Sequence, residues 1–265
     1  MKNELDMTLS SRRSLTESVA REQITALCDF GDGMMCPDKA SKYEPIREPF
    51  DYTDISIPIR WLASGKDFLY RKGKPVYVEG AMWNRTHPPG SRFPSPPFSN
   101  YWTGQFDGKW AARIGMEKVE AFVSEMFRVT GSDFGLLTTA IDRKAKNQGP
   151  MSYSYHGSDP ESGIPGLYWV NFFSDYLAEW IGLATVPKEI ATLKRLASGG
   201  WLLKFCESPD NCRDIDVLQK QRSAIEWLGS DKFFDIRFPD RKLSTPDWNS
   251  MPSRGVQPAG GRPTI

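Results

Sequence analysis

Gly166-Leu167-Tyr168-Trp169-Val170-Asn171-Phe172-Phe173 opens the most apolar, aromatic part of this chain. Ser174-Asp175-Tyr176-Leu177-Ala178-Glu179-Trp180-Ile181-Gly182 follows directly, and Gly199-Gly200-Trp201-Leu202-Leu203-Lys204-Phe205-Cys206 forms a second such run. Short apolar runs rich in aromatics and bounded by turn residues predict buried strands, here over 167–173 and 201–206. Ser174 is placed to cap a short helix to Ile181, which Gly182 ends. Strands and helices mixed in this way predict an α+β protein, with a mixed or mainly antiparallel sheet and helices packed on one face.

Outward from there, Pro187 suits a first helical turn, with Ile190, Leu193 and Leu196 as the apolar face of a helix up to Gly199. Asp214 or Asp216 is expected to cap a helix through Leu218, Ile225 and Leu228, closed by Gly229. Phe234, Ile236 and Phe238 alternate with Asp235 and Arg237, which predicts a last strand over 233–238. From Ser244 the chain is rich in Pro, Gly and Ser, so 244–265 is expected to be a flexible tail.

Toward the N-terminus the signals weaken. Val119, Phe122, Val123, Met126 and Phe127 fall on one helical face, and Gly131 follows as a stop. Residues 136–141 then read as a buried strand. Polar, turn-rich residues after Lys144 suggest that a single domain over 1–243 divides into halves near 145–163. Prolines 88, 89, 94, 96 and 97 exclude regular helix or central strand over much of 83–102, leaving a long loop with embedded aromatics. Val76-Tyr77-Val78-Glu79 is a strand candidate. Ile55, Ile57 and Ile59 alternate with Ser56, Pro58 and Arg60, predicting an edge or irregular strand. Residues 38–50 read as a connection. Ala20, Ile24 and Leu27 define a helix capped by Ser14 or Thr16 and ended before Gly31. Residues 1–13 look like a loose lead-in.

Composition narrows the function classes. The 265 residues carry a formal net charge of +1, which disfavours a general nucleic-acid binder or a globally acidic protein. No apolar run approaches the roughly 20 residues needed to span a bilayer, and no signal-peptide pattern follows Met1. The expected location is the cytoplasm, with no membrane partner. Cys28, Cys36, Cys206 and Cys212 lack zinc spacing, and only His87 and His156 could complete a site. Free thiols are expected; a Cys206–Cys212 disulfide would require an oxidising compartment.

Catalytic motifs are weak. There is no nucleophile elbow and no phosphate-binding loop, and Gly31-Asp32-Gly33 is not a dinucleotide fingerprint. Acid-x-Lys triplets of the kind metal nucleases use occur at Asp107-Gly108-Lys109, Asp142-Arg143-Lys144 and Asp240-Arg241-Lys242. Asp142 with Lys144, after a buried strand, is the best placed. His156 sits in a polar turn with two tyrosines. No cofactor, metal or small-molecule substrate is expected. The acids of 207–216 partly suit a helix start. They also form an anionic surface fitted to a basic partner, such as the substrate groove of a nucleic-acid enzyme.

The 166–173 run resembles the "G-hydrophobic-x-W-x-N-aromatic-F" strand of bacterial polymorphic-toxin immunity proteins. Gly199-Gly200-Trp201-Leu202-Leu203-Lys204 with Glu207-Ser208-Pro209 is similar to that group's "GG-hydrophobic-L-L…E-x-P" strand and turn. Leu228-Gly229 with Phe233-Phe234 fits its closing helix and strand. The family the chain most resembles is the immunity protein 52 family; a broader group of type VI secretion immunity proteins has a similar core and is the near alternative. The resemblance spans about 163–240 and is looser over 97–140. It implies a non-enzymatic α+β protein that binds and neutralises a cognate nuclease toxin of restriction-endonuclease-like fold, with no direct contact to nucleic acid. Glu207, Asp210, Asp214 and Asp216 are the expected partner-binding residues, with Trp83 and Trp102 as aromatic candidates. The alternatives are a metal-dependent nuclease using Asp142 and Lys144, and a non-catalytic scaffold sharing the fold.

Overall fold

In the computed structural model, residues 4–74, 77–87, 91–92, 95–148, 160–248 and 250 are described. The order is β1 (Leu5–Ser11), α1 (Glu17–Asp29), β2 (Lys39–Ser41), β3 (Glu48–Pro49), α2 (Ser56–Ala63), β4 (Phe68–Lys72), β5 (Val78–Asn84) and β6 (Asn100–Phe106). Next come α3 (Gly108–Ile114), α4 (Met116–Thr130), β7 (Phe134–Thr139) and α5 (Ala140–Asn147). The chain continues with β8 (Val170–Phe173), α6 (Asp175–Ile181), β9 (Thr192–Arg195), β10 (Trp201–Lys204) and α7 (Ile215–Leu228).

The strands form one ten-stranded sheet in the order β3-β2-β4-β5-β6-β1-β7-β8-β10-β9, and every ladder is antiparallel. The chain is therefore α+β with a mainly antiparallel sheet. The β7–β8 ladder, with Phe134 opposite Phe173, carries the sheet across 145–163.

Neighbouring strand residues point to opposite faces, and two cores separate on that rule. Met7, Leu9, Leu137, Phe172 and Leu202 pack with α1, α2, α3 and α4. Leu136, Phe173 and Leu203 pack with Leu177 and Ile181 of α6 and Val217, Ala224 and Leu228 of α7. The helices, expected on one face, thus divide between both.

The 1–13 segment is the largest departure from the sequence reading. It contains β1, which lies between β6 and β7 in the middle of the sheet. Leu5, Met7 and Leu9 are buried on one face, while Asp6, Thr8 and Ser10 are buried on the other. That polar alternation disguises a central strand. The 55–59 segment is helical: Ile59 and Leu62 share a buried face, Ile57 is exposed, and the Asp54 carboxylate accepts from the Ser56 N–H at 3.0 Å. Residues 38–50, read as a connection, hold β2 and β3 at the sheet edge.

After Pro187 the chain makes a turn, with Ile190 N–H donating to the Pro187 carbonyl, and then edge strand β9 rather than a helix. Gly199 and Gly200, at φ 83° and 88°, take the left-handed conformations that let β9 fold back on β10. Residues 233–238 form turns: only Phe233 bridges, to Ile164. Ser174 and Gly182 do cap α6 as expected, and Gly131 ends α4 in the left-handed region. The expected loose tail begins anchored, since the Ser244 N–H donates to the Asp231 carbonyl and the Trp248 ring meets Phe98 edge-on.

Candidate functional site

The entrance to α7 is built to project side chains outward. Ser208 accepts from the Asp210 N–H and starts a short turn over Pro209–Asn211. Buried Cys212 sets its Sγ 3.4 Å from the Thr139 hydroxyl, pinning that turn to the end of β7. Asp214 stands at the N-cap of α7, but its carboxylate accepts from Asn211 Nδ2 at 2.8 Å rather than from the helix N–H groups. Ile215 is left 77% exposed between Asp214 and Asp216, which are exposed as well.

Glu207 and Asp210, earlier in the same loop, are exposed too. Glu207 shares the Lys204 ammonium with Glu120, at 3.0 and 2.8 Å. The four expected acids are all exposed, and two of them flank in sequence an exposed apolar side chain, Ile215, that sequence reasoning had not singled out. An isoleucine in a helix-start position is no signal by itself; its exposure follows from which way the α7 face turns.

The two tryptophans part company. Trp83, on β5, is half-buried, with the Arg85 guanidinium 6.0 Å from its ring. Trp102, on β6, is fully buried and donates Nε1 to the Tyr70 hydroxyl, so it is a core residue and offers nothing to a partner. Both stand on paired strands that flank the Pro-rich loop rather than within it.

Two of the three acid-x-Lys triplets have structural explanations. Asp107 caps α3 by accepting from the Lys109 and Trp110 N–H groups. Asp142 is on α5 and fully buried, while Lys144, two residues on, faces solvent. Two positions along a helix are turned well apart, so this pair does not converge. Asp142 instead accepts from the Thr138 hydroxyl and from Lys146 Nζ, each at 2.8 Å. The Lys146 ammonium also donates to the Leu167 carbonyl and to Gln221 Oε1. Burial pushes its pKa down and the Asp142 carboxylate opposes that shift. This network ties α5 to the segment leading into β8 and to α7; its sequence trace is the i, i+4 spacing of Asp142 and Lys146.

All four cysteines are free thiols, and burial raises the pKa of Cys206 to about 12. Among the described residues no cluster of His, Cys, Asp and Glu is arranged to hold a metal ion. His156 lies outside the described residues. No described helix is long and apolar enough to cross a membrane.

The sequence matches no known protein family, and no curated protein matches it. Among solved structures, the fold is similar to that of the Pseudomonas aeruginosa T6SS protein PA0821. The TM-score is 0.51 at 11% sequence identity, covering 95% of this chain and 91% of that one. At that identity the likeness is one of fold.

Proposed function

We propose that this chain is an immunity protein that binds and neutralises a cognate nuclease toxin in the cytoplasm of the bacterium producing both. The observation that carries the reading is the exposed Asp214-Ile215-Asp216 stretch, preceded in the chain by the exposed acids Glu207 and Asp210. An exposed apolar anchor with a charged rim is the anatomy of a protein–protein contact. The acidic rim complements the basic groove that any nuclease presents to DNA, steering encounter and selecting the partner. The fold likeness to a T6SS protein is in keeping with this role. The resemblance of the 166–173 and 199–209 motifs to immunity proteins points the same way.

Inhibition in this scheme needs no turnover. Tight one-to-one association covers the toxin's active site or blocks its productive placement on DNA. The test is a co-expression rescue. The neighbouring gene's product, or its C-terminal domain, is induced in bacteria with and without this chain, scoring survival and chromosome integrity. Protection by this chain alone supports the proposal. A harmless neighbour, or degradation of DNA despite this chain, overturns it.

A further inference from the structure

A cleft of about 680 Å³ opens between α5, the 165–167 segment, α7 and the 230–241 segment. That size lies within the range of small-ligand sites, about 300–1,000 Å³. Its charge is unbalanced. Five cations, Lys146 and Arg213, Arg222, Arg237 and Arg241, face three carboxylates, those of Asp142, Glu226 and Asp235. Lys146 is matched by Asp142, and Arg237 grips Asp235 through Nε and Nη2. Arg241 is held in place by donating Nη2 to the Ser230 and Phe233 carbonyls at 2.6 and 2.9 Å. Five cations to three carboxylates leave the cleft with an excess of positive charge, carried by Arg213, Arg222 and Arg241, although Asp231 and Asp235 also feel the Arg241 charge.

The floor is rigid and under-satisfied. Lys146 spends its three donors on Asp142, Leu167 and Gln221. That bond turns the Gln221 carbonyl inward and leaves its buried Nε2 without an acceptor, while Asp142 Oδ1 has no donor. Gln221 Nε2 is thus a buried donor left for a ligand's acceptor, whereas the Asp142 carboxylate, neutralised by Lys146, adds nothing for an anion. The remaining wall is apolar and aromatic, from Ile225 and Phe234 to Phe238, which is 58% exposed at the rim.

We propose that this cleft binds a small organic oxyanion, a phosphate or carboxylate carried on an aromatic ring, as a ligand independent of the protein partner. Arg213, Arg222 and Arg241 hold the oxyanion by charge-assisted hydrogen bonds, and Phe234 and Phe238 receive the ring. Arg213 lies immediately before Asp214, so an occupied cleft would bring negative charge beside the surface proposed for the partner.

The experiment is calorimetric titration of the full chain with phenyl phosphate, inorganic phosphate and phenol at constant ionic strength. Saturable one-to-one binding of phenyl phosphate is expected, at least ~10-fold tighter than either fragment, because charge and ring act together. The double variant R213Q/R222Q, changed at exposed positions, should bind at least ~10-fold more weakly with an unchanged melting temperature, while R47Q should bind as the parent does. Absence of saturation at tens of millimolar, equal binding of phosphate and phenyl phosphate, or an unaffected double variant would each overturn the site. None of these readouts involves a toxin, so failure here is distinct from failure of the immunity reading.

Discussion

The indole Nε1 of Trp102 donates to the hydroxyl of Tyr70 across 2.7 Å, and both side chains are fully buried. The bond spans β6 and β4, over Gly80 of the intervening β5. A Cβ at Gly80 would collide with the Tyr70 hydroxyl and with the Thr103 carbonyl at 2.5 Å, so glycine makes room for the pair. Tyr70→Phe should leave the Trp102 N–H buried without an acceptor and destabilise the fold by about 1–3 kcal/mol. Gly80→Ala should cost at least as much, because β5 or the pair must shift. Urea unfolding of the two variants checks this; wild-type stability in both would show that the pair contributes nothing.

Asn171 sits fully buried in β8. Its Oδ1 accepts from the Tyr168 N–H at 2.9 Å, and its Nδ2 donates to the Tyr168 carbonyl at 2.9 Å. The asparagine side chain thereby satisfies backbone groups where the chain bends into the strand. Asn171→Leu keeps the bulk but orphans an amide and a carbonyl, each costing about 1–3 kcal/mol. Loss of about 2–5 kcal/mol, or failure to fold at 37 °C, is expected. A denaturation midpoint equal to the parent's would rule this role out.

The Trp169-x-Asn171 element of the motif is therefore legible in sequence as fold, since Trp169 Nε1 also donates inward, to the Cys206 carbonyl at 2.8 Å. Periodicity found α1, α4, α6 and α7 because their apolar faces recur every three or four residues and their ends carry Thr16, Gly131, Ser174 and Gly182. It failed at β1, where Asp6, Thr8 and Ser10 are buried although polar, and at α2, where three isoleucines alternate like a strand but Ile57 points to solvent. The acids of the α7 entrance were visible in the sequence. Ile215 and the arginine-lined cleft were not, because both depend on how α5 and α7 are brought together through Lys146 and Gln221.

Lys146→Met tests that junction. Removing the ammonium leaves the Asp142 carboxylate buried with only the Thr138 hydroxyl and the Thr139-capped helix start for support. Breaking one side of a buried pair costs about 3–5 kcal/mol. The double variant D142N/K146M should recover a substantial part, because no buried charge remains. A thermodynamic cycle with near-zero coupling would show that the pair is not what holds α5 to α7.

Asp6 sets a pH dependence. Burial raises its pKa in the folded protein, although Arg143 and the Gln105 side chain act in the opposite direction. A raised carboxyl pKa means that ionised Asp6 disfavours folding above the folded-state value, and the penalty disappears as pH falls toward the unfolded value of about 4. Asp6→Asn should therefore be more stable than the parent at neutral pH, with the gap narrowing toward acid. Denaturant midpoints between neutral pH and about pH 4 read this directly. A gap that stays constant, or widens in acid, contradicts the assignment.

The α7 entrance makes separate kinetic predictions for its charged and apolar parts. Exposed acids act at a distance, so D214K/D216K should slow association with the proposed nuclease toxin by about 10-fold or more at low salt. The effect should fade as salt shortens the Debye length to about 8 Å near physiological ionic strength. Ile215 acts only on contact. Ile215→Ala should leave the association rate nearly unchanged and raise the dissociation rate, at a cost of about 1–3 kcal/mol if the side chain fills a pocket on the toxin. Ile215→Ala should keep the parent's melting temperature, whereas D214K/D216K should lower it modestly, since it removes the Asn211 bond and sets cations at the α7 N-terminus, at about 0.3–1 kcal/mol each. Surface-based kinetics at two salt concentrations separate the two parts. Charge reversal without a salt-dependent change in association rate would remove the acids from the contact. An unchanged dissociation rate in Ile215→Ala would move the interface away from the start of α7.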